Sequence, residues 1–442
     1  MRKNKSKKIK YDKVKTLSPK TFPPEYEDLT RSLYAKACQG SRHLWDRITT
    51  PHELKSNEEL REQLYSAAHQ GMMSAQDDII SIIQNDEKLN PSKELLLRGI
   101  ADSIAWQILG YQLAHAKRFY KSNVQPDLYN SNFESVVFAS RESLKYKPNA
   151  VSLISDLTSF IQIGDLLEYA PKKGLTIIEV KEGSMNTKIC NFMQSYMQSP
   201  CDQALHIFTQ KEGEQASKQL QRMLRQASRM SYVTSVLRTG NGIDPDTNTE
   251  IKIPEPYFII ENWDEELNNS LEKSHDNGWA IEVIDNCLFL GAYASDNMKI
   301  SGHIIFNLWF DKMGATPECP RARLIDCMHI PLALPIFNRR IPDTYKFDLL
   351  FGRKQVCMGI CIDSFLNECQ KDGLLVRFAT RKEQGYFDQS GNRPYRHKGK
   401  AIFIGNGKNE IVLMSGLFLR IMFHGEKPLS LIKTILDNIE VE

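Results

Sequence analysis

After Ser56, apolar side chains return along the chain at three- and four-residue steps: Leu60, Leu64, Ala67, Ala68, Met72, Ala75, Ile79 and Ile83. Such spacing lines one face of a helix and predicts that this face is buried. Ser56 and Glu59, three apart, form a capping-box signature at its start. A second helix is expected from about Ser92 to Tyr120, with Leu96, Ile100, Ile104, Ile108 and Leu109 towards the core. Residues 23–125 thus read as an all-α N-terminal domain. Over 126–240 the pattern changes to a helix, a pair of strands, a long interval holding a helix around Ile189–Met197, and a further helix. Residues 239–256, TGNGIDPDTNTEIKIPEP, are rich in Gly, Asp, Asn, Thr and Pro and mark a loop or boundary. The last stretch, 257–442, carries the strand-like runs GWAIEVI, CLFLGAYA, GHIIFNLWF and AIFIGNGKNEIVLMS. Helices are expected there near Ser364–Gln370 and Leu429–Asn438, giving an α+β C-terminal domain. No internal repeat is found. The expected fold class is α/β in the central unit and α+β overall.

Within the central unit, charges interrupt the apolar pattern. In IGDLLEYAPKKGLTIIEVK, residues 163–181, two apolar runs flank a Pro-Lys-Lys-Gly turn, yet Asp165, Glu179 and Lys181 sit inside those runs. A buried unpaired charge costs on the order of several kcal/mol, so these groups need compensation. Alternate strand residues share a face, which groups Ile163 with Asp165 and Leu167, and Ile177 with Glu179 and Lys181. Pairing Ala170 with Leu175 would set Val180 opposite Asp165. A bulge at Gly174 shifts the phase and sets Glu179 there instead. Two opposed carboxylates repel unless a cation lies between them. Lys181 is one candidate. A divalent metal on hard oxygen ligands, as suits Mg²⁺, is the other; such an ion activates water and stabilises a phosphoryl transition state.

Composition narrows the partners. At 442 residues the chain exceeds one ordinary core, so two or three domains are expected. No run of 18 apolar residues is present, and neither a membrane span nor a membrane partner is expected. The first 15 residues hold eight basic side chains and one acid with no apolar stretch behind them. They read as part of a disordered basic tail, 1–22, rather than a signal peptide. Those first residues carry +7 against a net +3, leaving −4 on the rest, so nucleic-acid contacts would come from local patches or from the tail. Nine cysteines without C-x-x-C or zinc spacing fit free, mostly buried thiols in a reducing, cytoplasmic setting.

Asp165 in Ile-Gly-Asp-Leu and Glu179-Val180-Lys181 in Ile-Ile-Glu-Val-Lys make the hairpin resemble the PD-(D/E)xK nuclease superfamily, over roughly residues 130–230. The resemblance implies a restriction-endonuclease-like core. It also implies Asp165, Glu179 and the Val180 carbonyl as metal ligands, and Lys181 as the group that orients or polarises the attacking water. Gly164 stands where the family has Pro. A literal match, Pro245-Asp246 with Glu250-Ile251-Lys252, is set aside because its Asp lies in a Gly- and Asn-rich turn with no strand behind it. By the same resemblance Glu134, in Asn-Phe-Glu-Ser-Val-Val, is a further catalytic candidate, although Ser131 and Glu134 equally form a capping box. Glu142 on that helix ranks behind it, and Asp156 reads either as a supporting acid or as a turn residue. The later helix SKQLQRMLRQASRM has an apolar face, Leu220, Met223, Leu224 and Ala227, expected to pack on the sheet. Its basic stripe, Lys218, Arg222, Arg225 and Arg229, would follow a phosphate backbone or stand as a solvated face. Gln219 is the residue of this helix that the resemblance places beside the site.

Ile-Gly-Asn-Gly-Lys at 404–408 lacks a Walker A ending, since Asn409 follows Lys408, and reads as a strand-turn-strand hairpin. Neither G-x-S-x-G nor H-E-x-x-H is present. The expected function is a metal-dependent nuclease: a phosphodiesterase using Mg²⁺ (or Mn²⁺), acting on DNA ahead of RNA and as an endonuclease ahead of an exonuclease, in genome defence or DNA processing. The alternative is a non-catalytic nucleic-acid-binding or scaffold protein that keeps the fold. Homo-oligomerisation and an activating protein partner stay open.

Overall fold

The computed structural model describes residues 21–45, 57–86, 89–121, 125–128, 133–147, 149–171, 173–253, 260–294, 296–390 and 393–438. Ser56, Ser131 and the basic tail up to Lys20 lie outside them. Phe22, assigned to the tail by sequence, is buried, and its N–H donates to the Leu350 carbonyl at 3.0 Å.

The N-terminal stretch folds as α1 (Glu27–Gln39), α2 (Glu58–Asn85), α3 (Pro91–Ile108) and α4 (Leu113–Phe119), with a short helical turn at Arg42–Trp45. Leu64, Met72, Ala75, Ile79 and Ile83 form the buried face of α2, as their spacing predicts. Its cap is Asn57, whose side chain accepts the Leu60 N–H at 3.0 Å. The helix expected to run unbroken to Tyr120 instead stops at Ile108. Gly110 and Tyr111 take left-handed φ of 59° and 61°, and their N–H groups bond back to the Gln107 and Trp106 carbonyls. This is a Schellman end, which satisfies the last carbonyls and turns the chain.

The central stretch comprises α5 (Glu134–Lys145), β1 (Val151–Ile154), β2 (Leu166–Ala170), β3 (Gly174–Ile178), α6 (Ser184–Gln198) and α7 (Asp202–Thr239), the last kinked at Gly213. The strands form an antiparallel sheet in the order β1-β2-β3. Helix α2 covers the outer edge of β1. Its buried Gln76 donates to the Ser152 carbonyl at 3.0 Å and accepts the Ile154 N–H at 2.8 Å, much as a neighbouring strand would. Leu220 and Met223 of α7 are buried against Ile189 and Met193 of α6, with Leu224 and Ala227 beside them. The apolar face expected on the sheet therefore packs on a helix. Past α7, β4 (Asn241–Ile243) and β5 (Glu250–Lys252) make a short two-stranded ribbon, so strands do flank Pro245-Asp246, though brief and largely exposed ones.

The C-terminal stretch opens with α8 (Asp264–Asn277) and carries two antiparallel sheets. One is built from β6 (Trp279–Ile284), β7 (Leu288–Tyr293), β8 (Arg321–Arg323) and β9 (Gln355–Ile360) in the order β6-β7-β9-β8. The other has β10 (Leu375–Phe378), β11 (Arg396–His397), β12 (Lys400–Gly405) and β13 (Glu410–Val412), with β12 pairing all three partners. The expected strand GHIIFNLWF lies inside a helix, Asp296–Lys312, where Phe306 and Phe310, four apart, are buried. Helices Ile362–Lys371 and Pro428–Asp437 and the β12–β13 hairpin occur where expected. The fold is mixed helix and sheet with small antiparallel sheets, consistent with the α+β class.

A single apolar cluster runs from Phe22 to Leu436 and draws side chains from all three stretches, 23–125, 126–240 and 257–442. All nine cysteines are free, and six of them are buried. No described helix is long and apolar enough to cross a membrane.

Candidate active site

Strands β2 and β3 pair Leu166 with Ile178 and Ala170 with Gly174. The turn closes with the Lys173 N–H on the Ala170 carbonyl at 3.0 Å and with Gly174 at φ 73°. Three residues therefore separate the paired positions instead of four. The ladder ends at the Leu166–Ile178 pair, so Asp165 and Glu179 lie just beyond it, one at the end of each strand.

Backbone and side chain both fix Asp165. Its N–H donates to the Ile178 carbonyl (2.8 Å), its carbonyl accepts from the Ser155 N–H (3.0 Å), and its Oδ2 accepts from the Val180 N–H (2.6 Å). Gly164 just before it has φ 78°, and a Cβ there would stand 2.3 Å from Ile177 Cγ2. Proline is locked near φ −65°, so the residue the resembling family prefers cannot occupy this backbone. Glu179 Oε1 accepts from Lys181 Nζ at 2.6 Å and from Gln226 Nε2 at 2.8 Å. Burial, and then the Glu179 charge, push the Asp165 carboxyl above the ordinary carboxylate range. The Val180 N–H and Lys181 pull it partly back, and Asp156 adds a further push.

A cavity of about 300 Å³ opens over the pair, lined also by Lys121, Gln125, Asp156, Gln162, Gln226 and Arg229. Helix α3 holds its rim. Buried Arg98 donates from Nη1 to the carbonyls of Asp156 and Thr158, both at 3.0 Å, from Nη2 to that of Pro126, and from Nε to Glu94 Oε1 at 3.0 Å. One turn on, Asp102 accepts from both the N–H and the hydroxyl of Ser159 at 2.7 Å each. Burial pushes the Asp102 carboxyl up to about 6.

The structure thus gathers Asp165, Glu179, Val180, Lys181, Asp156 and Arg229, but not every residue the sequence suggested. Glu134 is exposed at the first position of α5 and is not among the cavity residues. Glu142 pairs with Lys145 on the surface. Gln219 donates to Asn186 at 3.1 Å, and its place beside the acids is taken by Gln226, two turns further along the same helix. In the basic stripe Lys218 pairs with Glu214, and Arg222 and Arg225 are exposed with no ion pair to a described residue. Only Arg229 reaches the cavity, where Asp246 holds its Nη2 at 2.6 Å. Asp246, the acid of the discarded literal match, is therefore an anchor for that arginine. A further acid, Glu168, lies within β2, buried and paired with Lys147.

The raised Asp165 pKa has a consequence for stability. The folded state holds this proton more tightly than the unfolded state does, so the native carboxylate costs stability above its raised pKa and nothing below the ordinary carboxylate range. Asp165→Asn, which keeps an oxygen for the Val180 N–H, is expected to melt higher than the wild type near pH 7.5 in EDTA. The gain should fade as the pH is lowered towards 4. A difference in Tm that ignores pH would contradict this.

Set against family models, curated proteins and solved structures, the chain matches none of them.

Proposed function

We propose that the chain is a metal-dependent nuclease with a restriction-endonuclease-like core in residues 126–240, and that Asp165, Glu179 and Lys181 are its catalytic set. The observation that carries this reading is that Asp165 and Glu179, just past the ends of two paired strands, line one open polar cavity, where the Glu179 charge acts on the Asp165 carboxyl. Lys181 already bonds Glu179 at 2.6 Å, yet the Asp165 carboxyl stays pushed up, so the pair would gain from a further cation. Among the described residues no group of three or more His, Cys, Asp or Glu forms a metal-binding cluster. The donors at hand are two carboxylates and the Val180 carbonyl, which accepts no hydrogen bond from a described residue. This set of hard oxygens fits Mg²⁺ or Mn²⁺, since Mg²⁺ binds through one or two carboxylates and keeps several waters. When bound, the ion would supply charge neutralisation at the phosphoryl oxygens and a water of lowered pKa.

The chain's own groups have separable tasks. Gln226 and Lys181 fix the Glu179 carboxylate from two sides, and the Lys181 ammonium has further N–H donors for a water molecule. In the hydrolysis that follows, a water oxygen bonds to phosphorus, the P–O bond to the departing sugar oxygen breaks, and that oxygen takes up a proton. The direct test incubates the protein with single- and double-stranded DNA and RNA in Mg²⁺ or Mn²⁺, against Asp165→Ala and Lys181→Ala. Cleavage by the wild type alone supports the proposal. Cleavage surviving both substitutions removes this site from consideration, and no cleavage by any form favours a binding role.

The two glutamines separate the observed site from the one expected by sequence. Gln226→Ala should lower cleavage by about tenfold or more, the effect of losing a partner that orients a metal ligand. Gln219→Ala should leave it at the wild-type rate. Equal losses would mean that Gln226 contributes only to folding.

A further inference from the structure

We infer that Lys121, with Arg229 beside it, seats a backbone phosphate of the nucleic acid in this cavity. The inference rests on the nuclease reading and adds the part of the site that grips the substrate. Lys121 lines the cavity with its side chain half-buried, and its ammonium makes no hydrogen bond or ion pair with a described residue. The nearby acid has no free claim on it: Glu179 Oε1 is already shared by Lys181 and Gln226.

The base of Lys121 is nonetheless rigidly held. Its N–H donates to Gln162 Oε1 at 2.6 Å, the Gln162 N–H donates to the Phe119 carbonyl at 3.1 Å, and Gln125 Nε2 donates to the Ile161 carbonyl at 3.0 Å. A cation left unpaired on an anchored stretch of chain, inside a cavity, is arranged for an anion from outside. Arg229 lines the same cavity with its guanidinium held on Asp246. Burial and the Arg229 charge together hold the Lys121 amine below its usual pKa, while Asp246 and Glu179 push it back up. An arriving phosphate would relieve that strain on the charged form.

The cavity therefore offers two kinds of group at once: cations for nonbridging phosphate oxygens, and carboxylates that repel an anion unless a metal ion comes with it. That combination suits a phosphodiester better than a carboxylate metabolite or a neutral sugar. The contact carries no base information, so it predicts affinity without sequence preference.

The test measures binding without cleavage, by fluorescence anisotropy in EDTA, using the Asp165→Asn protein and labelled single- and double-stranded DNA and RNA. Salt is varied from roughly 50 to 200 mM. Adding Lys121→Met should weaken binding about tenfold and lower the slope of log K against log salt by about one. Lys121→Arg should restore both. Lys121→Gln gives a second neutral variant should the Met form fold poorly, with thermal melts checking each protein. The strand type showing the largest change in slope identifies the substrate class. Unchanged affinity and slope in folded neutral variants would overturn the role of Lys121 alone. Failure of the Asp165→Asn protein to bind any nucleic acid would overturn the nuclease reading and this contact with it.

Discussion

Asp165→Ala and Glu179→Ala are each expected to cut Mg²⁺-dependent cleavage by more than about 100-fold. Groups that merely orient a metal ligand cost about 10- to 100-fold when removed, so the ligands themselves should exceed that range. The two losses should not add, because both carboxylates would hold the same ion and removing one disables the set. The double variant should therefore be little worse than either single one. These variants should also stay folded. Asp165 sits in its site at a cost, with a carboxyl pushed up by burial and by Glu179, so its removal relieves repulsion. A folded, inactive protein is the expected result, checked by circular dichroism beside the cleavage assay. Activity within a fewfold of wild type in either single variant would defeat the assignment.

Arg98→Met should cost about 3–5 kcal/mol of folding stability, the range seen when one partner of a buried charged pair is taken away. Arg98 satisfies three carbonyls, those of Pro126, Asp156 and Thr158, and also pairs with Glu94. Methionine fills much of the volume but donates nothing, so each of these acceptors must find water or go unpaired. Glu94 would keep only its bond from the Leu128 N–H at 3.1 Å. Because Pro126 and Asp156 line the cavity, cleavage should fall along with stability, whereas substitution of an exposed stripe residue such as Arg222 should leave stability within about 0.5 kcal/mol. Equilibrium urea unfolding measures both. A loss under about 1 kcal/mol for Arg98→Met would show that water replaces the guanidinium easily.

The parts of the fold that sequence makes legible are those where one local pattern has one solution. The α2 face repeats at helical spacing, and burial follows it. The hairpin is legible in part: its two strands and the turn at Gly174 are found, while Asp165 and Glu179 lie just past the last pair, Leu166–Ile178, rather than facing each other within the ladder. Elsewhere the pattern underdetermines the answer. GHIIFNLWF is rich in β-branched and aromatic residues, which mimics a strand, but its burial follows Phe306 and Phe310 at a helical step of four. The apolar face around Leu220 announces burial without saying whether a sheet or a helix covers it. Gln219 and Gln226 lie on one side of one helix, and only the axial position of α7 over the hairpin decides between them. Lys121 carries no local signal. It reaches the cavity because α3 ends at Ile108, α4 follows, and Gln162 ties the chain beyond α4 to the loop before Asp165.

Helix α3 touches β1 and the turn Ser155–Leu157 on one side, and the turns Leu324–His329 and Ile336–Asn338 of the C-terminal stretch on the other. The hairpin unit is for that reason not a transferable module. A fragment cut at 126 and 240 would leave behind Arg98 and Asp102, the donors and acceptor that hold the loop leading to Asp165. Recombination could exchange this unit only by carrying α3 with it, and α3 in turn needs the surface of the C-terminal half. What looks in sequence like three separable inheritances is bound to descend as one piece.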